Sequence, residues 1–189
     1  MRRLLCCAAS LLIGSGAVPA QTPVIPPLDK SALDISYYPV NHPVLKIQDK
    51  ATEPLMARVI YSRPVKAGRR IAGNLFEYGS VWRLGANEAT EIEFFRDARI
   101  GDKTVRKGRY TLYAVPNADR WTLIINRETD TWGAFRYDPS KDVGRFTAKP
   151  EKNPDPVEAF TVCFDGNGKL ANLHILWDDF HLTLPIRFL

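Results

Sequence analysis

Phe180-His181-Leu182-Thr183-Leu184-Pro185-Ile186-Arg187-Phe188, FHLTLPIRF, alternates without a break. Phe180, Leu182, Leu184, Ile186 and Phe188 fall on one side, and His181, Thr183, Pro185 and Arg187 on the other. A period of two is what a β-strand with one buried face requires, because successive side chains point to opposite faces of a sheet. Pro185 has no amide hydrogen, so this strand must lie at an edge or place Pro185 where no ladder bond is needed.

The same pattern recurs upstream, at Ala171–Trp177, Ala159–Phe164, Gly144–Lys149, Trp121–Asn126 and Tyr110–Val115, around Ile92 and Phe94, and from Leu55 to Ser62. Turn chemistry separates the segments: Ile100-Gly101-Asp102-Lys103, Lys107-Gly108, Pro116-Asn117-Ala118-Asp119, Asp165-Gly166-Asn167-Gly168 and Trp177-Asp178-Asp179-Phe180. No long window has helical periodicity, although Gly73 to Gly79 could hold a turn of helix, and nothing repeats at a fixed period. The spacing predicts an all-β, antiparallel two-layer sandwich or jelly roll of about nine to eleven strands in one domain.

Ahead of the strands, MRRLLCCAASLLIGSGAVPA places Arg2 and Arg3 before an apolar run and Val18-Pro19-Ala20 after it, the order of a secretory signal peptide over residues 1–20. The run is about half of what a membrane-spanning helix needs, so no transmembrane segment is expected after cleavage. The expected product is exported, to the periplasm or outside. Residues 21–43, with Pro23, Pro26, Pro27, Pro39 and Pro43, read as an extended linker in which Leu33, Ile35 and Tyr37 could dock as a short strand; residues 44–189 are the expected sandwich domain. Losing the signal removes Cys6 and Cys7, which leaves Cys163 alone and no intramolecular disulfide.

The formal net charge is +5, reduced to about +3 without Arg2 and Arg3. Cations and anions are interspersed, so the basic stripe of a nucleic-acid binder is missing. HExxH, CxxC, a calcium loop of the EF-hand kind and a GxSxG elbow are all lacking, and no cofactor or metal is implied. His174 and His181 fall on neighbouring strands and could approach across their hairpin, but without a third evident ligand they read as two ordinary solvent-facing histidines.

Recognition residues concentrate in two places. From Tyr61 to Thr90 a glycine-punctuated connection carries Arg63, Arg69, Tyr78, Trp82, Arg83, Asn87 and Glu88, the last four within VWRLGANEAT. Arg63 or Arg83 could lock the loop by pairing with Glu88, with Trp82 plugging one end of the core, or the same residues could face a ligand. The second place is Asn126 to Asp138, where Trp132, Phe135 and Tyr137 stand among Asn, Asp and Arg as a sugar-stacking platform would, or as a cap on the sandwich.

The ordered motifs YSRP, GRRIAG, YGSVWRLGANEAT, KGRYTLYAVP, WTLIIN and DTWGAFRYDPSKDV, with the terminal tryptophan-acid and Leu-Pro pattern, resemble the bacterial domain-of-unknown-function family numbered 2911 from about Leu55 to Leu189. Ala72 stands where that family usually has an aromatic, and Leu75-Phe76-Glu77-Tyr78-Gly79 where it often reads LVPYG. The resemblance implies an exported or envelope bacterial protein of β-sandwich fold, and brings no activity, cofactor or catalytic residue. Three functions are then open. The first is a non-catalytic binding module, with a polar-aromatic patch for an envelope glycan or envelope protein. The second is a hydrolase of carbohydrate or ester with Glu88 as acid or base, and the third a purely structural protein.

Overall fold

The computed structural model describes residues 22–189, so the expected signal segment, with Cys6 and Cys7, lies outside the described residues. In chain order the elements are β1 (Leu33–Tyr38), α1 (His42–Ile47), β2 (Ala57–Ser62), β3 (Glu91–Phe94), β4 (Ala98–Ile100), β5 (Lys103–Val105), β6 (Gly108–Val115), β7 (Trp121–Asn126), a 3-10 turn at Pro139–Lys141, β8 (Asp142–Ala148), β9 (Glu151–Asn167) and β10 (Leu170–Phe188). Two antiparallel sheets face each other, one in the order β1-β2-β3-β6-β7-β8 and the other β5-β4-β10-β9. The predicted all-β sandwich is the observed fold. Strand alternation sends Val59, Ile92, Leu112 and Leu123 from the first sheet into the core against Phe160, Val162, Leu173, Ile175 and Leu184 from the second.

β10 doubles back on itself. The Phe188 amide donates to Lys169 O at 2.8 Å, and His174 Nδ1 lies 2.8 Å from His181 Nε2. A straight strand advances about 3.3 Å per residue, which would hold two residues seven apart about 23 Å from each other. The reversal is at Asp178-Asp179, where Asp178 has φ 52, as the predicted turn requires. Both arms keep the period: Ala171, Leu173, Ile175 and Trp177 point inward, and so do Leu182, Leu184, Ile186 and Phe188.

Pro185 sits where its missing donor costs nothing. Beyond the second arm of β10, Ala98 and Arg99 pair with Phe188 and Arg187, and Glu151 and Lys152 pair with His181 and Phe180. Pro185 falls in the gap between these two stretches.

Two local features depart from the sequence reading. α1 is a short helix that composition did not announce, although Pro43 in its first turn suits a helix start. The 73–79 segment is not helical: a single turn closes from Leu75 N to Ile71 O at 2.8 Å, and Gly73 N then bonds Phe76 O at 2.7 Å. β1 adds itself to the edge of the larger sheet, in register Leu33 to Ser62 and Tyr38 to Ala57. The Tyr38 hydroxyl crosses to the other sheet, where its one proton is shared between Gly168 O at 2.9 Å and Leu170 O at 2.8 Å.

Between the sheets an aromatic column runs through Trp82, Trp177, Phe160, Phe76 and Trp121. Trp82 stacks on Trp177 at 6.0 Å and 11° and meets Phe160 edge-on at 5.4 Å, while Phe76 lies 5.0 Å from Trp82 and 5.1 Å from Trp121. The Trp177 indole donates to Glu158 O at 3.1 Å. Trp82→Ala is therefore expected to lower the unfolding free energy by about 3–5 kcal/mol in a denaturant titration, the range for emptying a large aromatic site. A loss under 1 kcal/mol would mean that the ring does not pack there.

Burial pushes the Tyr61 phenol up to about 12, helped by Asp34 and opposed by a backbone hydrogen bond at Val162 and by Arg63. The folded chain thus keeps this proton after the unfolded chain, titrating near pH 10, has lost it. Stability is predicted to fall from about pH 10 to about pH 12 and then to level off. Tyr61→Phe should flatten that fall in pH-dependent denaturation; an unchanged slope would assign the effect elsewhere.

Candidate functional site

The connection between β2 and β3 spans the end of the sandwich by pairing with both sheets. At its start Val65 bridges Ala159, Lys66 N donates to Glu158 O at 2.8 Å, and the Lys66 ammonium holds the Asp178 carboxylate. At its finish Trp82 bridges Ala114, with Trp82 N to Ala114 O at 2.7 Å and Ala114 N to Trp82 O at 2.9 Å. The turn that follows needs its glycine: Gly85 has φ 146, and a Cβ there would stand 3.0 Å from Ser62 O. The Thr90 hydroxyl then ties down Leu84 O.

This geometry sorts the residues singled out in the sequence. Trp82 is only 5% exposed and belongs to the core. Arg63 does not meet Glu88: its guanidinium reaches Asp34 on β1 at 3.0 Å, and Phe160 O at 3.2 Å and Thr161 Oγ1 at 3.0 Å on β9, fastening one sheet edge to the other. Arg69 folds back on its own loop and donates to Lys66 O at 3.0 Å and to Val65 O. Asn87 donates to Asp29 at 2.8 Å.

Arg83 and Glu88, one of the two pairings the sequence left open, share no salt bridge, and among the described residues neither has another ionic partner. Glu88 is exposed. Arg83 is half-buried, with no acceptor for Nε, and burial holds its guanidinium below the usual arginine range.

The Asn126–Asp138 segment caps the outer face of the larger sheet. Ala89, Tyr113 and Ile124 form a small apolar cluster there, covered by Ala134 and Tyr137. Glu88 bridges Trp132, with Ala89 N to Thr131 O at 3.0 Å and Gly133 N to Asn87 O at 2.9 Å, so the two regions flagged in the sequence do lie side by side. The buried Asn126 donates to Asp142 at 2.7 Å and Asp138 O at 2.9 Å, and the Tyr137 hydroxyl donates to Asp142 at 2.7 Å. Burial, then the Asp142 carboxylate, push that phenol up to about 12. Tyr137 is thus a cap, whereas Trp132 and Phe135 remain 62% and 85% exposed as a shelf beside Glu128, Arg136 and Lys141.

A second recess opens where the connection meets the β10 turn. It is a cleft of about 540 Å³ with an aromatic floor of Phe76, Trp121 and Phe180 and with Tyr78 on its rim. Trp121 and Phe180 are 4.8 Å apart, and Phe76 meets Tyr78 edge-on at 6.0 Å. Arg70, Asn117, Glu151, Lys152, Asp178 and Asp179 supply the polar wall. Of the residues singled out in the sequence only Tyr78 lies here. Arg70 and Phe76 come from the same connection, and the rest from three distant segments, two of them at or beside stretches read from sequence as turns, Pro116–Asp119 and Trp177–Phe180. Aromatic residues immediately flanking those turns were the available signal.

A family model described as Protein of unknown function (DUF2911) matches residues 44–186. The chain belongs to the DUF2911 family. No curated protein and no solved structure matches it. DUF2911 membership covers both recesses and assigns chemistry to neither.

A half-buried cation without a partner is a net cost. Replacing it by an apolar side chain of similar length, Arg83→Met, is expected to raise the thermal midpoint, by about 2–4 °C for each 1 kcal/mol gained in a chain of this size. A lowered midpoint would show that the guanidinium has a stabilising partner.

Proposed function

We propose that this DUF2911 protein is exported and acts as a non-catalytic binding module of the cell envelope, taking a glycan in the cleft beside Tyr78. The observation that carries this reading is one recess that joins aromatic area to a polar wall: the exposed Tyr78 ring and the half-buried Phe180 ring above the buried Phe76 and Trp121, with Asn117, Asp179, Glu151 and Arg70 around them. Sugar rings present apolar faces that stack on such rings and hydroxyls that bond amides, carboxylates and guanidinium groups. The cleft volume of about 540 Å³ falls in the range of small-ligand sites. The export part rests on the residue order of 1–20.

A second reading places the ligand, glycan or envelope protein, on the Trp132–Phe135 shelf, because two large rings stay in solvent there. Hydrolysis through Glu88 has less support: this carboxylate is exposed, and the two acids that line a small recess with it, Glu91 and Asp130, are both engaged by Arg109. A purely structural role explains Trp82 and Arg63 but not an exposed Tyr78 ring on the rim of a polar-walled cleft.

Binding of the purified protein to an array of bacterial envelope glycan fragments tests the proposal. Tyr78→Ala is expected to weaken the observed binding at least ten-fold and Trp132→Ala to leave it unchanged. The opposite pattern would move the site to the shelf, and no binding by the folded wild-type protein would sink the glycan reading.

A further inference from the structure

A small recess lies on the outer face of the larger sheet, apart from the aromatic cleft. Ile60 and Ser62 alternate with the core residues Val59 and Tyr61, so both project outward, and Glu91, next to the core residue Ile92, projects with them. Leu33, the register partner of Ser62, walls the recess on the β1 side, while Glu88, Ala89 and Asp130 close it on the other. Its volume is about 170 Å³. At roughly 30 Å³ for each water-sized group, that leaves room for about five or six heavy atoms.

Two features of the recess are unfinished within the chain itself. The first is Ser62, which is 1% exposed and whose Oγ has no hydrogen-bond partner among the described residues. A buried hydroxyl left unpaired is a standing cost to the fold. The neighbouring hydroxyls are engaged, Thr131 with the Tyr113 hydroxyl at 3.0 Å and Tyr61 with Asp34 at 3.4 Å. The second is charge. Three carboxylates stand around the recess, and one guanidinium serves two of them: Arg109 Nε donates to Glu91 at 2.6 Å, and its Nη2 donates to Asp130. Glu91 also accepts the Asp130 amide at 2.7 Å. Glu88 is exposed and has no cationic partner among the described residues.

Together these features specify a ligand. Leu33, Ile60 and Ala89 accept a short alkyl chain, the free carboxylate takes a cation, and the Ser62 oxygen offers lone pairs to an N–H donor. An anion would meet the carboxylates, and an uncharged hydrocarbon would leave Ser62 unpaired. A primary ammonium on a four-carbon stem brings three N–H donors and matches size, charge and hydrogen bonding at once. We propose that this recess binds a primary alkylammonium group, its chain against Leu33, Ile60 and Ala89, its charge beside Glu88, and one N–H donated to Ser62 Oγ. The site is separate from the cleft beside Tyr78, and neither depends on the other. Free amines and the lysine side chains of a polypeptide share this chemistry.

The test titrates the protein with n-butylammonium chloride and follows the chemical shifts of its backbone amides. Saturable shifts are expected at Ser62, Ala89 and Asp130, from one site per chain, and n-butanol should produce them only weakly. Glu88→Gln should weaken binding at least five-fold, and added salt should weaken it in the wild type far more than in Glu88→Gln. Ser62→Ala should weaken binding several-fold while raising the thermal midpoint of the free protein, because the unpaired hydroxyl is gone. That opposite movement of affinity and stability separates a hydroxyl that serves a ligand from one that serves the fold. Nα-acetyl-lysinamide distinguishes the sources: binding tighter than that of butylammonium assigns the site to lysine side chains, and weaker binding to free amines. Equal binding of butanol and butylammonium, no saturation in the folded wild type, unchanged affinity in Glu88→Gln, or a lowered midpoint in Ser62→Ala would each overturn the proposal.

Discussion

The stacking of Trp82 on Trp177 is the contact on which the rest depends. It joins a residue of the long β2–β3 connection to the hairpin of the smaller sheet, and through Phe160 and Phe76 it continues to both walls of the core. Burial of large aromatic surface is the strongest term available to a sandwich that contains no disulfide among its described residues. Beyond Trp82 the chain turns: Arg83 is half-buried, Leu84 is buried with φ 53, and Gly85 lies against the Ser62 backbone. The conformation of VWRLGANEAT is therefore a consequence of the core.

The same contact decides where a ligand could be met. A connection pulled inward at Trp82 and pinned at Lys66–Asp178 leaves Ile71–Tyr78 draped across the sandwich end, with Tyr78 and Phe180 at the surface above the buried end of the aromatic column. The cleft is thus the unfinished end of the core, lined by rings already held by packing. Rigid aromatic floors of this kind lose little entropy when a ligand stacks on them. On the outer faces the chemistry differs: a capped shelf with Trp132 on the larger sheet, and the His174–His181 pair on the smaller.

Most of the architecture was legible because period two survives in nearly every strand. FHLTLPIRF, its preceding arm and the Asp178-Asp179 turn could be read as a hairpin, and the position of Pro185 followed from the missing amide. The 151–158 stretch was not legible as strand, since Pro154 and Pro156 argue against one, yet it runs along an exposed border where ladder bonds are few. α1 escaped because six residues are too short for a helical period to show.

The site was less legible for a physical reason. Arg63, Trp82 and Arg83 drew notice by residue type, but type does not tell a recognition residue from one that fastens two sheets. The cleft gathers side chains from four separated segments, so no single stretch announced it. Trp132 differs from the other three tryptophans in one measurable respect: it is 62% exposed, whereas Trp82, Trp121 and Trp177 are 5%, 2% and 1% exposed. Acrylamide quenching of indole fluorescence reads this directly. The account predicts one quenchable tryptophan population that disappears in Trp132→Phe, leaving emission nearly resistant to quencher. A readily quenched population that persists in Trp132→Phe and vanishes in Trp82→Phe would contradict it, because Trp82 would then face solvent and the connection would not be built around the core.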